Sequence, residues 1–231
     1  WWPQATDAAG PTPTLRAPPR EDNGTDTRRN VTWPGGLPRV ASVDGMANRR
    51  AVVTGASSGI GEAVVRALRA KDWDVVGVAR RAARLEALDA EIGSRSYAAD
   101  LTSEADVAAL AGHLEDTGPV HALVHVAGGA RGTQRVEDGD PADWRWMFEA
   151  NVLSAPRLVA ALLPAIRRAA DASGHADLLF VTSTAAQTAY PGGGGYNAAK
   201  AGEAMLVHAL RQELNGEPLR VIEIAPGMVR T

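Results

Sequence analysis

The stretch Thr54-Gly55-Ala56-Ser57-Ser58-Gly59-Ile60-Gly61 decides how this chain folds. A short apolar run, Ala51-Val52-Val53, precedes it, and a segment of helical periodicity from Glu62 to Lys71 follows it. A strand, a glycine-rich turn and a helix N-terminus in that order make a seat for a pyrophosphate. Glycine lets the backbone come close to a phosphate, and the first turn of a helix offers unpaired N–H groups and a partial positive charge. Glycine spacing alone is a weak signal; the strand–turn–helix setting turns it into a site.

Outward from this turn, strand and helix signals alternate from Asn48 onward. Apolar runs of strand length lie at Ala51–Val53, Asp74–Ala79, Ser96–Ala99, Ala122–Val126, Leu178–Thr182 and Arg220–Ala225. Helical periodicity fills the gaps over Gly61–Lys71, Ala82–Ile92, Glu104–Glu115 and Gly195–Leu214. A long helix is expected from Pro141 to Ala170, with bends at Pro156 and Pro164. Thr102 or Ser103 caps the third helix, with Asp106 in capping-box position to Ser103. Apolar strands separated by helices predict an α/β fold with a parallel sheet covered on both faces. Right-handed crossovers make it doubly wound, and ligands then bind beyond the strand C-termini.

Composition narrows the function. The chain has 231 residues and a formal net charge of −3, so it lacks the basic footprint of a nucleic-acid binder. It has no cysteine, which excludes disulfides and thiolate metal sites. No signal-peptide pattern and no run of about 18 apolar residues stands out, so the expectation is a soluble, cytoplasmic protein without a membrane partner. Residues 1–45 hold seven of the 14 prolines and show no helix or strand period. They read as a disordered leader ahead of one domain over residues 46–231. Met46 directly precedes the first strand; it is either the natural start or part of a chain with a genuine flexible tail.

The residues after the strands carry the chemistry. In NAD sites an acidic residue about twenty positions beyond the glycine turn bonds the ribose 2′-hydroxyl. Here Ala79 stands near that place, with Arg80 and Arg81 behind it. A carboxylate would repel a 2′-phosphate, whereas guanidinium binds one with paired donors. The expected cofactor is NADP(H); the competing reading is that Arg80, Arg81 and Arg84 only solvate a loop. Asp100, followed by Leu101, either accepts a hydrogen bond from an adenine amino group or merely starts the next turn. Ala127-Gly128-Gly129 gives backbone close access to a ribose.

Tyr196 and Lys200 lie four apart on one helix face. A phenol beside an ammonium can pass a proton to or from a carbonyl oxygen while hydride moves at carbon. The plainer reading is a buried Tyr beside a solvated Lys. Ser183 follows the fifth strand and offers a hydroxyl for a substrate oxygen. Asn151, a mediocre helix former inside the long helix, either anchors a water or caps a kink.

Taken together, these motifs resemble the short-chain dehydrogenase/reductase family. The resemblance rests on Thr54-Gly55-x-x-x-Gly59-x-Gly61, Asn151 in Asn-Val-Leu-Ser, Ser183, Tyr196-Asn-Ala-Ala-Lys200 and Pro226-Gly227, and it covers residues 48–231. It implies a Rossmann fold of strand order 3-2-1-4-5-6 and transfer of hydride between NADP(H) and a carbonyl or secondary alcohol. The cofactor would be held by Gly55, Ser57, Ser58, Gly59, Ile60, Gly61, Arg80, Arg81, Asp100, Leu101, Ala127 and Gly128. The resemblance makes Tyr196 the proton donor or acceptor and Lys200 the partner of the nicotinamide ribose. Ser183 would orient the substrate, Asn151 would hold a relay water, and Pro226 and Gly227 would shape the nicotinamide pocket. It also implies a homodimer or homotetramer, with Leu153, Leu158, Leu162 and Ile166 as candidate contact residues.

Three departures stand out. His125-Val126-Ala127-Gly128 replaces the family's frequent Asn-Asn-Ala-Gly, which puts a strand-to-strand brace in doubt; His125 is expected to be structural, not a metal ligand. Gln187 replaces a frequent glycine and is expected to alter the pocket wall. The sequence stops after the Pro-Gly turn, which reads as a truncation that omits a seventh strand and a substrate lid. Within the family, Tyr190-Pro191-Gly192-Gly193 and Glu223 to Thr231 look like reductases of short 3-hydroxy acids and related aldehydes. Arg131 and Arg135 are the cations such an acid would need, unless each is a solvated loop residue. A bulky apolar substrate would use Trp144, Trp146 and Met147 instead. A non-catalytic NADP(H)-binding regulator and an inactive truncated remnant are the alternatives to an enzyme.

Overall fold

The computed structural model describes residues 49–230. The leader and Met46 lie outside the described residues. Six strands form one parallel sheet: β1 (Arg50–Thr54), β2 (Asp74–Ala79), β3 (Arg95–Ala98), β4 (Ala122–His125), β5 (Ala176–Val181) and β6 (Leu219–Ile224). Their order is β3-β2-β1-β4-β5-β6, as expected. The helices between them are α1 (Gly59–Arg69), α2 (Ala82–Ile92), α3 (Glu104–Thr117), α4 (Pro141–Phe148), α5 (Ser154–Ser173) and α6 (Gly194–Glu213).

Alternation along the strands feeds two cores. Val52, Val76, Val78, Leu123 and Leu178 point to one face, where they meet Leu110 and Leu114 of α3, Leu158 and Ile166 of α5, and Val207 and Leu210 of α6. Ala51, Val53 and Val75 point to the other, against Val65 of α1 and Leu85 and Leu88 of α2. The edge strands are the exceptions to the apolar pattern. Four-residue β3 has no fully buried residue, and β6 is half exposed, because each has a neighbour on one side only. At the start of α3, Ser103 is the cap: its Oγ accepts from Asp106 N at 3.2 Å and donates to Asp106 Oδ1 at 3.0 Å.

The long helix differs from expectation. It widens into a π turn at Glu149–Leu153, between α4 and α5. Pro156 lacks an N–H, and its ring crowds the carbonyl four residues earlier, that of Val152, which lies inside the widened turn. Pro164 sits within α5. Pro141–Ser173 is also long and apolar enough, by length and composition alone, to cross a membrane, contrary to the reading that no such stretch exists. Its apolar stripe is explained by the core: Leu158, Leu162 and Ile166 are at most 1 % exposed. Those three therefore offer no surface to a second subunit, whereas Leu153 is exposed.

Candidate active site

A cavity of about 590 Å³ opens at the C-terminal edge of the sheet. One wall is the glycine turn, through Gly55, Ser57, Ser58, Ile60 and Gly61. Gly55 and Gly59 adopt φ of +68° and +57°, where a side chain would be strained. Gly59 opens α1 and does not itself line the cavity. A Cβ on Gly61 would lie 2.3 Å from the carbonyl oxygen of Gly55, so helix and turn approach as closely as only glycine permits. Ser58, the N-cap of α1, makes no side-chain bond to the first-turn N–H groups. Those donors face the cradle, and a dinucleotide phosphate fits it.

The two arginines after β2 behave differently. Arg81 donates from Nε and Nη2 to Ser57 Oγ at 3.0 and 2.9 Å, and from Nη2 to Ser58 Oγ at 2.6 Å, so it is tied to the turn. Arg80 lines the cavity, and among the described residues its only close charge is Asp100, 4.0 Å away. Asp100 begins a turn: its Oδ1 accepts from the N–H and the hydroxyl of Thr102. Burial opposes its charge, but Thr102 and then Arg80 hold its carboxyl below the usual range. Leu101 forms the adjoining wall, its carbonyl fixed by Arg157 Nη1 at 3.0 Å.

The floor follows β4. Thr54 Oγ1 accepts from Val126 N and Ala127 N, both at 3.0 Å, and so has its own proton to give to His125 Nδ1 at 3.1 Å. Threonine and histidine thus brace β1 to β4 where the family's asparagine is absent. His125 is fully buried, and burial, reinforced by the charge of Lys200, pushes its pKa down to about 3. The unfolded chain takes up this proton near 6.5, the folded chain only near 3. Stability is therefore expected to fall as pH drops below about 6.5, by about 1.4 kcal/mol per pH unit from this group. His125→Asn, which keeps an acceptor for Thr54 but does not titrate, should flatten that slope in urea unfolding at stepped pH; an unchanged slope removes the assignment.

Ala127 and Gly128 line the cavity as expected. Asn151, held in the π turn, donates to Gly129 O at 2.8 Å and Met147 O at 2.7 Å, and accepts from Gly129 N at 3.0 Å. Both amide hydrogens are thus committed, one to the loop after β4 and one to the end of α4.

Tyr196, near the start of α6, lines the same cavity. Lys200, one turn later, is 4 % exposed and lies beneath the floor, where a Cβ on Gly128 would sit 3.6 Å from its Nζ. It donates to Val181 O at 3.2 Å and to Glu203 Oε2 at 2.6 Å. The sequence reading missed Glu203, although a Glu three residues after a Lys on one helix is a legible pairing. Ser183 caps a short turn at Thr184–Ala186; its Oγ accepts from Ala185 N at 3.1 Å, and its hydrogen meets no acceptor among the described residues. Pro226 reaches the same corner, its carbonyl accepting from Thr184 N at 3.0 Å, with Gly227 beside Thr184. Ser183, Lys200, Pro226 and Gly227 do not line the cavity itself. Nor does Gln187, which is exposed and ends the Thr184–Ala186 turn, so the expected change of pocket wall is not seen. Of the candidate cations, Arg135 pairs with Glu137 at 3.0 Å, while Arg131 stacks 4.0 Å over Trp146, a cavity residue.

Comparison with known proteins agrees with this architecture. The family profile described as short chain dehydrogenase matches residues 49–231. An uncharacterized oxidoreductase of Mycobacterium tuberculosis is 49% identical over 187 residues, covering 81% of this chain and 72% of that protein. Serine 3-dehydrogenase of Rhizobium radiobacter is 36% identical over 183 residues, covering 78% of this chain and 72% of that protein. Among solved structures, the closed form of a serine dehydrogenase complexed with NADP+ aligns with a TM-score of 0.73 at 29% identity, over 78% of this chain and 73% of that one.

Proposed function

We propose, since this chain belongs to the short-chain dehydrogenase family, that it reduces a small carbonyl compound, or oxidises the corresponding secondary alcohol, with NADP(H) as cofactor. The observation that carries this reading is that the glycine turn and Tyr196 line one continuous cavity. A ligand held at its phosphates by the turn extends toward the phenol. Bound there, NADP(H) supplies or accepts the hydride.

The chain's own residues do the rest. Tyr196 gives its phenolic proton to the carbonyl oxygen in reduction and takes it back in oxidation. Lys200 puts a positive charge beneath that end of the cavity, which favours the phenolate formed during reduction. Ser183 has a hydroxyl hydrogen available for the substrate oxygen. Asn151 keeps the loop after β4 in position, and Pro226 and Gly227 back the corner beside Ser183.

Arg80 selects the phosphorylated cofactor on this reading. Arg81 is spent on Ser57 and Ser58, whereas Arg80 is largely exposed and only approaches Asp100, at 4.0 Å. Arg80→Ala should weaken NADPH roughly tenfold or more, the worth of a charge-assisted pair, and leave NADH nearly unchanged. Fluorescence titration of both cofactors checks this, and equal losses would end the phosphate argument. As substrate we favour a short 3-hydroxy acid or its aldehyde, in line with the serine 3-dehydrogenase relative and with Arg131 over Trp146 at the cavity. NADPH consumption with a panel of small aldehydes and keto acids tests the whole reading. Tight NADPH binding without turnover of any of them would favour a cofactor-binding regulator instead.

A further inference from the structure

Glu203 has no part in the scheme above, yet it is fully buried on α6 three residues after Lys200. Its Oε2 accepts from Lys200 Nζ at 2.6 Å, and its Oε1 has no hydrogen-bond partner among the described residues. Lys200 is 4 % exposed and has one further partner, Val181 O. An ammonium brings three hydrogens, so one remains, and Nζ lies against Gly128 under the cavity floor. An ammonium shut away from water with no counter-charge is costly and tends to lose its proton. Packing alone would not require a carboxylate here, since an amide of the same shape would fill the space.

We propose that Glu203 is a positioning residue: its carboxylate is the counter-ion that holds the Lys200 ammonium seated beneath the cavity, so that Tyr196 works beside a fixed ammonium. This deepens the reading of Tyr196 and Lys200 given above and rests on it. Four groups surround the pair. Lys200 and Glu203 share α6; Glu223 of β6 adds negative charge near Glu203 and is approached by His208 at 3.3 Å and Arg211 at 3.7 Å; neutral His125 of β4 feels Lys200 from the other side. Burial pushes the Glu203 carboxyl above the usual range, Lys200 pulls it down, and Glu223 adds to the rise. Falling pH therefore reaches this carboxyl before an ordinary one, and protonation removes the counter-charge.

The test is carbonyl reduction with NADPH, in which Tyr196 gives up a proton and acid does not deprive it of one. Wild-type kcat should fall on the acid side at a pH above the ordinary carboxylate range. Glu203→Gln should lower kcat on the order of tenfold or more, with a smaller change in KM for NADPH, and should lack that acid fall. Glu203→Asp should restore the acid fall and part of kcat. A wild-type kcat and acid limb in Glu203→Gln would overturn the proposal. So would a lowered Tm with an unaltered pH profile, the mark of a packing role. If Glu203→Gln does not fold, Glu203→Asp decides: an acid limb with reduced kcat supports the proposal, and a wild-type kcat defeats it. Tyr196→Phe run alongside separates the two levels. Retained turnover there defeats the reading of the site itself; lost turnover there with an unaffected Glu203→Gln defeats this proposal alone.

Discussion

Carbonyl reduction by Tyr196→Phe is expected to fall by roughly 10²–10⁴-fold, the usual worth of a positioned proton donor, while NADPH affinity stays close to wild type. The substitution removes one hydroxyl and leaves the ring. Tyr196 lines the cavity, and the retained ring keeps the bulk of that wall. The bonds of Arg81 to the glycine turn and the approach of Arg80 to Asp100 do not involve Tyr196. Stopped-flow measurement of NADPH consumption, together with a cofactor titration, separates chemistry from binding. Turnover at the wild-type rate would remove the proton-transfer mechanism. A large loss of NADPH affinity with turnover preserved at saturation would move Tyr196 from chemistry to binding.

The second large effect belongs to Gly61→Ala. The added methyl would lie 2.3 Å from Gly55 O, 2.6 Å from Gly55 C and 3.0 Å from Thr54 O. All three are backbone atoms, so no side chain can swing aside. Either α1 tilts away from β1 or the glycine turn is displaced, and both pull the first-turn N–H groups off the phosphate seat. Overpacking of this kind costs about 1–3 kcal/mol of stability, and NADPH affinity should drop by at least about tenfold because the helix-end donors are no longer aimed at the anion. Gly112→Ala is the control: it lies on α3 with nothing within 4 Å of its added Cβ. That variant should be neutral or more stable by about 0.5–1 kcal/mol, since alanine suits a helix better than glycine. Isothermal titration with NADPH and urea denaturation on both variants give the comparison. Undiminished NADPH binding by Gly61→Ala would mean that the turn does not seat the phosphates.

Local rules carried the fold reading a long way. Apolar runs of strand length and period-3.6 patterns located all six strands and the intervening helices, usually within two residues, because burial between two helix layers or along a helix stripe is written directly into the sequence. The parallel order followed from the alternation of those elements, as short right-handed crossovers leave few topologies. The same local logic put Gly61, Arg80, Asp100 and Tyr196 beyond the strand ends, and they do line one cavity. The π turn escaped this logic. It holds Asn151, whose bonds tie it to the loop after β4, 22 residues away in sequence.

Long-range partners account for the remaining surprises. Arg80 and Arg81 are adjacent and chemically alike, and sequence treats them as a pair; their separate fates depend on Ser57 and Ser58 lying beside one guanidinium and not the other. His125 looked like a departure from a family motif until its ring met Thr54 across 71 residues. Lys200 and Tyr196 share a helix face by spacing alone, yet the depth at which Lys200 is buried follows from the packing of α6 onto the sheet. Periodicity encodes which way a side chain points relative to its own element. What that side chain touches depends on folded neighbours distant in the chain, and charge and hydrogen bonding in the site depend on those neighbours.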